Sequence, residues 1–181
     1  MKKPYRIAIE KLFSAELKRL CPEFNKVSVK PVCKYNGEAV FASDAVKATL
    51  FISVIPHPKG HEEFTVEIGW STKHRFPELS MRPNMFDVNE LGNDEGMIRL
   101  TSFSKIPGFG WTFRGVAWEW DQKYWLNPEA FRTTPVEIID QDTKRVPTDS
   151  EAVAAVGDAV TEAINELKTH GLPYLNKYLS L

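Results

Sequence analysis

Between Ala48 and Ser71 the chain reads ATLFISVIPHPKGHEEFTVEIGWS, and its apolar positions fall into two patterns. Phe64, Val66, Ile68 and Trp70 alternate with Glu63, Thr65, Glu67 and Ser71, the period of a strand with one buried and one wet face. Leu50 to Ile55 is apolar or small at every position, which predicts a central strand covered on both sides. Pro56, Pro58 and Gly60 interrupt the run, so the two strands are expected to pair antiparallel across a short connection.

Upstream, Ile9, Leu12, Phe13, Leu17 and Leu20 share one helical face and Glu10, Lys11, Lys18 and Arg19 the other, and Pro22 stops the helix. Val27 to Tyr35 has strand composition, with Pro31 placing it at an edge, and Asn36-Gly37 predicts a tight turn with positive φ at both residues into a strand over Glu38–Ala42. Regular periodicity then disappears over an irregular loop at 72–96, whose length points to a functional segment. Strands are expected again over Met97–Phe103, Thr112–Trp120 and Pro135–Ile139. Thr148 and Glu151 have the spacing of a capping box, and Val153, Val156, Val160, Ile164 and Leu167 make the stripe of a long helix that Gly171 closes, after which Pro173 can start another. The order of helix, run of strands and helix predicts an α+β fold. One domain over residues 1–181 carries an antiparallel sheet of five to seven strands between an N-terminal and a C-terminal helix.

Composition narrows the function classes. Of 181 residues, 43% are hydrophobic and 26% charged, and the net charge of −1 supplies no global field for nucleic acid or anionic lipid. No apolar run is long enough for a membrane helix, and Arg6, Glu10 and Lys11 interrupt what a secretory leader would need, so neither a membrane protein nor secretion by that route is expected. Cys21 and Cys33 stand in no metal or redox spacing, which suits reduced thiols and a cytoplasmic location.

The candidate chemistry is thin. His57 and His61 have an i, i+4 spacing, but Pro58 and Gly60 between them deny the helix that would make the pair a chelate, so no metal is expected and Glu62 and Glu63 read as a solvated turn. Asp87-Val-Asn89-Glu-Leu91-Gly92 opens like a calcium loop but fails at Leu91 and at Ile98, where oxygen ligands belong. Gly108-Phe109-Gly110 has neither the third glycine nor the Lys-Ser/Thr pair of a phosphate loop, and no nucleophile elbow occurs. No catalytic residue and no cofactor is assigned. The unusual feature is aromatic: read as a strand, Thr112–Trp120 and its neighbours place Trp111 and Phe113 on one face and Trp118 and Trp120 on the other. Arg114, Trp118, Trp120, Tyr124 and Trp125 have the composition of an interface anchor, and Asp87, Glu90, Asp94 and Glu95 supply acidic company for a basic partner.

The succession of IAIEKLF, FISV, FTVEIGWS and EAVAAVGDAVTEAINELKTHGLPYLNKY, with the junction Gly171-Leu172-Pro173, resembles a group of small bacterial domains of unknown function found among the immunity proteins of toxin systems. The resemblance covers roughly the first seventy and last thirty residues and carries no catalytic motif. It implies a non-enzymatic protein that binds another protein, a basic toxin whose active site it occludes. Two other classes stay open on the residues alone. One is an enzyme or small-ligand binder with His57, His61 or His74 in a tryptophan-lined pocket between sheet and loop; the other is a homo-oligomer joined through Trp118 and Trp120.

Overall fold

The computed structural model describes residues 1–83, 89–106 and 108–179, without the side chains of Cys33, Asn89, Glu90 and Leu179. The fold is α+β. Six strands form an antiparallel sheet in the order β1 (Asn25–Val27), β2 (Ala39–Asp44), β3 (Thr49–Pro56), β4 (Glu63–Ser71), β6 (Glu95–Arg99), β5 (Asn89–Leu91). A seventh strand, β7 (Trp111–Thr112), pairs with Glu63 and Phe64 of β4, beside the stretch of β4 that β6 occupies. Both outer strands, β1 and β5, are only three residues long.

The central pair forms as its pattern demands. Thr49 pairs with Ser71 and Pro56 with Phe64, and every residue of β3 is buried. Leu50, Ile52, Val54, Phe64, Val66, Ile68 and Trp70 point toward a helical layer of α1 (Lys3–Leu20) and α6 (Asp149–Glu166), which pack on each other through Ile9, Phe13, Leu17, Val156, Val160 and Ala163. The capping box is present: the Thr148 hydroxyl accepts the Glu151 amide, and the Glu151 carboxylate accepts the Thr148 amide at 2.7 Å. The buried stripe is rotated from the expected one, with Ala152 inside and Val153 exposed. Gly171 does not end the helix. A π-turn at Leu167–Gly171 leads straight into α7 (Leu172–Leu179), where Leu175 is buried and Tyr178 stacks on Trp70 at 4.0 Å.

Where the chain departs from its expected elements, tertiary partners or glycines intervene. β1 stops at Val27 and the chain continues through a 3₁₀ turn at Pro31–Cys33; the turn at 36–37 has positive φ at Gly37 alone. The irregular stretch at 72–96 contains β5 and the start of β6. Met97–Phe103 divides into the end of β6 and a one-turn helix, α2 (Thr101–Ser104). Thr112–Trp120 is not a strand, because after β7 the chain turns at Gly115 into α3 (Val116–Trp120). A π-turn at Asp121–Trp125 and α4 (Pro128–Thr133) follow, and Pro135–Ile139, also expected as a strand, belongs instead to α5 (Val136–Lys144). Among the described residues no helix is long and apolar enough to cross a membrane.

Candidate functional site

The aromatic stretch becomes helical because a distant carboxylate starts it. β7 is held by its register with β4 and by the Gly110 amide, which donates to Glu63 Oε1 at 2.8 Å. Three residues later the amides of Gly115 (2.9 Å), Ala117 (2.8 Å) and Trp118 (3.1 Å) all donate to the Glu62 carboxylate, and the Val116 amide donates to the Tyr5 hydroxyl at 2.8 Å. These are the orphan donors that any helix start presents, and an anionic acceptor suits them. A Cβ at Gly115 would lie 2.4 Å from Glu62 Oε1 and 2.5 Å from the Tyr5 oxygen, so a larger residue must displace the two side chains that hold the turn.

The far end of the segment is tied down by polar contacts. Tyr124 turns inward, only 1% exposed, and its hydroxyl donates to Asp142 Oδ2 at 2.6 Å alongside Lys123 Nζ at 2.7 Å. Those two donors hold the Asp142 carboxyl below the usual carboxylate range. Arg145 joins Glu119 (2.9 Å) to Glu151, and Lys2 donates to the carbonyls of Thr143 and Arg145. The Asn127 side chain caps α4 by accepting the Ala130 amide.

What this scaffold displays is apolar. Neither α4 nor α5 buries a single residue. Trp125 is 74% exposed, Val136 75% and Trp118 38%, and Leu126, Phe131 and Ile138 are exposed as well. Arg114 lies over the Trp118 ring at 4.9 Å, a cation–π contact at the surface. Trp120 is half-buried against Tyr124, and its indole nitrogen is buried without an acceptor. Around these rings Lys123, Lys144 and Arg145 pair with Asp142, Asp140 and Glu119, whereas among the described residues Asp121, Glu129 and Glu137 have no ion-pair partner, with Arg114 and Arg132 as the cations left to offset them. The rim of the apolar face therefore carries a slight acidic excess.

The acidic residues read from the long loop do not join it. Glu95 is buried, accepting from Arg75 at 2.8 Å, and Asp94 pairs with Lys73 at 3.3 Å, both at the Ser71 end of β4. The aromatic segment is anchored at the Glu62–Phe64 end, about 25 Å away along the strand. Asp87 and the Glu90 side chain lie outside the described residues.

On the sheet face opposite the helices, loops take the place of a second helical layer. Arg82 descends from the 3₁₀ turn at Leu79–Met81 and donates to Glu38 (2.7 and 3.0 Å) and Glu67 (2.6 and 3.0 Å), with its guanidinium over the rings of Tyr35 and Phe76. All three charged side chains are buried. Arg99 Nη2 lies 3.7 Å from the second Glu67 oxygen, so two guanidiniums face two carboxylates. Burial pushes the Glu67 carboxyl up, against the opposing pull of Arg82 and Arg99. The cavity beside Glu67, Arg99, Tyr35 and Phe109 measures about 70 Å³, space for two or three waters and well short of a substrate.

The three histidines of the enzyme reading do not share one site. His57 and His61 meet edge to face at 4.5 Å beside Phe109, while His74 contacts Thr49 at the opposite end of β3, and among the described residues the cavity beside Phe109 is lined by no tryptophan. Among the described residues no three His, Cys, Asp or Glu side chains form a possible metal ligand set. Cys21 is a free, buried thiol.

Glu62 and Glu63, expected in a solvated turn, instead accept the amides that start α3 and hold β7, and neither those roles nor those of Tyr5 and Arg82 were marked in the sequence. Each acts on a partner far along the chain, so no local spacing marks it. No protein-family model matches the chain, and no curated protein or solved structure matches it significantly.

Proposed function

We propose that this chain acts by binding another protein, and that the helical segment from Val116 to Val146 is the surface that does so. The observation that carries the reading is the exposure of Trp125 and Leu126 beside the inward-turned Tyr124, and of Phe131 and Val136 on α4 and α5, which bury nothing of their own, held by the polar ties at Glu62, Asp142 and Arg145. An exposed aromatic cluster on a pre-ordered support is the anatomy of a binding hot spot, because little ordering entropy remains to be lost on docking. The unpaired Asp121, Glu129 and Glu137 select a partner whose surface is apolar at its centre and basic at its margin.

The specific form of this reading is that of an immunity protein occluding a basic toxin such as a nuclease, which the resemblance of the first seventy and last thirty residues suggests and the slight acidic excess of the rim suits. The test is capture from the host cell with the tagged full-length chain, comparing wild type with Trp125→Ala/Phe131→Ala. A stoichiometric partner recovered by wild type and weakened on the order of 30-fold or more by the variant, with unchanged melting, is the expected result. Recovery of the chain alone, or equal capture by both, refutes it.

A further inference from the structure

Two cavities, of about 190 and 210 Å³, open on the segment from Val116 to Arg145, and Val116, Trp120 and Asp142 line both. The larger is completed by Lys2, Ala117 and Thr143, and its walls are mostly carbon. The smaller is ringed by Glu119, Lys123 and Arg145. Most polar groups around them already have partners: Asp142 accepts from Lys123 and Tyr124, Glu119 accepts from Arg145, and the Thr143 hydroxyl donates to the Ile139 carbonyl. Two groups are left incomplete. The Trp120 indole N–H is buried without an acceptor, a cost that folded proteins seldom leave standing. Lys2 donates to the backbone carbonyls of Thr143 and Arg145, and among the described residues no carboxylate meets its charge.

An acceptor that carries negative charge would complete both. We propose that the larger cavity binds a small apolar carboxylate, its hydrocarbon body against Val116, Ala117 and the Trp120 ring and its oxygens between the Lys2 ammonium and the indole N–H. An amine would find no such vacancy, because Asp142 is already paired with Lys123 and Glu119 with Arg145. Size sets the ligand. An apolar cavity of roughly 150 Å³ holds a benzene ring, so one of about 210 Å³ takes a single ring, or a chain of about six carbons, together with its carboxylate. The indole nitrogen is itself closed off from solvent, so the half-buried ring turns to meet the ligand, and the smaller cavity that it also borders supplies the room. The inference stands apart from the protein-binding reading, since it calls on none of Trp125, Phe131 and Val136.

The full-length ¹⁵N-labelled chain, whose five tryptophans give five indole N–H signals, is titrated with benzoate, with hexanoate and, as the cationic control, with benzylamine. Trp120→Phe identifies the Trp120 signal by its loss. At least one of the acids is expected to move that signal downfield and to saturate with a dissociation constant on the order of 1 mM or below, which about eight or nine non-hydrogen atoms can supply. The signals of Trp70, Trp118 and Trp125 are expected to stay in place, and benzylamine to move none. Lys2→Gln, which keeps a donor for the two carbonyls, is expected to weaken the acid at least threefold while the amides of 136–144 keep their protection. Trp120→Phe, which leaves Lys2 untouched and is read through the Ala117 amide, is expected to weaken it by as much. Wild-type affinity in either variant, equal shifts with benzylamine, shifts confined to the other indoles, or no saturation by about 10 mM overturns the inference.

Discussion

Removing one carboxylate outside the helical segment is expected to release that segment while the sheet stays folded. Glu62→Ala deprives three amides of their acceptor at once. The Gly115 amide sits at a buried residue and loses a charge-assisted bond, about 1.5–3 kcal/mol. The amides of Ala117 and Trp118 are at exposed residues, where water replaces the carboxylate, so each contributes a few tenths to about 1 kcal/mol, as an exposed cap does. The sum is roughly 2–5 kcal/mol, which raises the local opening constant by about 30- to 5000-fold. The loss stays local because α4 and α5 bury nothing, whereas β3 and β4 are buried along nearly their whole length. Native-state hydrogen exchange reads this directly: amides of 115–126 lose protection by that factor in Glu62→Ala, those of β3 and β4 do not, and Glu62→Gln falls between. Uniform loss of protection across the chain, or unchanged protection at 115–126, would refute the assignment of Glu62 as the helix start.

Arg82→Met is expected to destabilise the whole fold by about 3–5 kcal/mol in urea unfolding, because Glu38 stays buried without its cation and Glu67 keeps only the more distant Arg99; adding Glu38→Gln and Glu67→Gln should recover much of the loss. Burial, with a smaller part from His61, holds the His57 imidazole below its ordinary pKa. The neutral ring is therefore the folded form, and stability is complete above the ordinary histidine pKa near 6.5 and falls as the pH drops from there toward the depressed folded value. Thermal melts between pH 8 and 5 check this, with His57→Gln expected to flatten the slope. The depressed Asp142 carboxyl has the usual acid sense: its contribution is present above the ordinary carboxylate range and disappears as the pH falls through its folded pKa, loosening α5 in acid before the sheet, as exchange of 136–144 would report. Thr148→Ala should cost about 1 kcal/mol of global stability through the lost cap on α6.

Two kinds of information separated the parts of this fold that are legible in sequence from those that are not. α1, the β3–β4 pair and the start of α6 are written in local periodicity, burial on both faces and a capping box, and each formed within a few residues of its expected span. Thr112–Trp120 and Pro135–Ile139 misled for a definable reason. Both carry the aromatic and β-branched residues that favour strands, but the first is drawn into a helix by Glu62, more than fifty residues upstream, and the second continues a helical chain with no sheet edge beside it. Of the expected partner-binding residues, Trp118, Trp125 and Arg114 lie at the surface of one region, Trp120 and Tyr124 brace it from beneath, and Asp94 and Glu95 belong to the other end of the sheet. The Arg82 cluster left no trace in sequence because Glu38 lies 44 and Glu67 15 residues from it.

The brevity of β1 and β5 bears on how copies of a protein with so much uncovered ring surface can meet. Three residues offer too few free backbone donors and acceptors to template the growth of a fibre, and Asn25 and Lys26 on one border are solvated. Encounters between copies are thereby confined to side-chain contacts, which reverse on dilution, so crowding in this protein should show as weak reversible clustering with no thioflavin-positive aggregate.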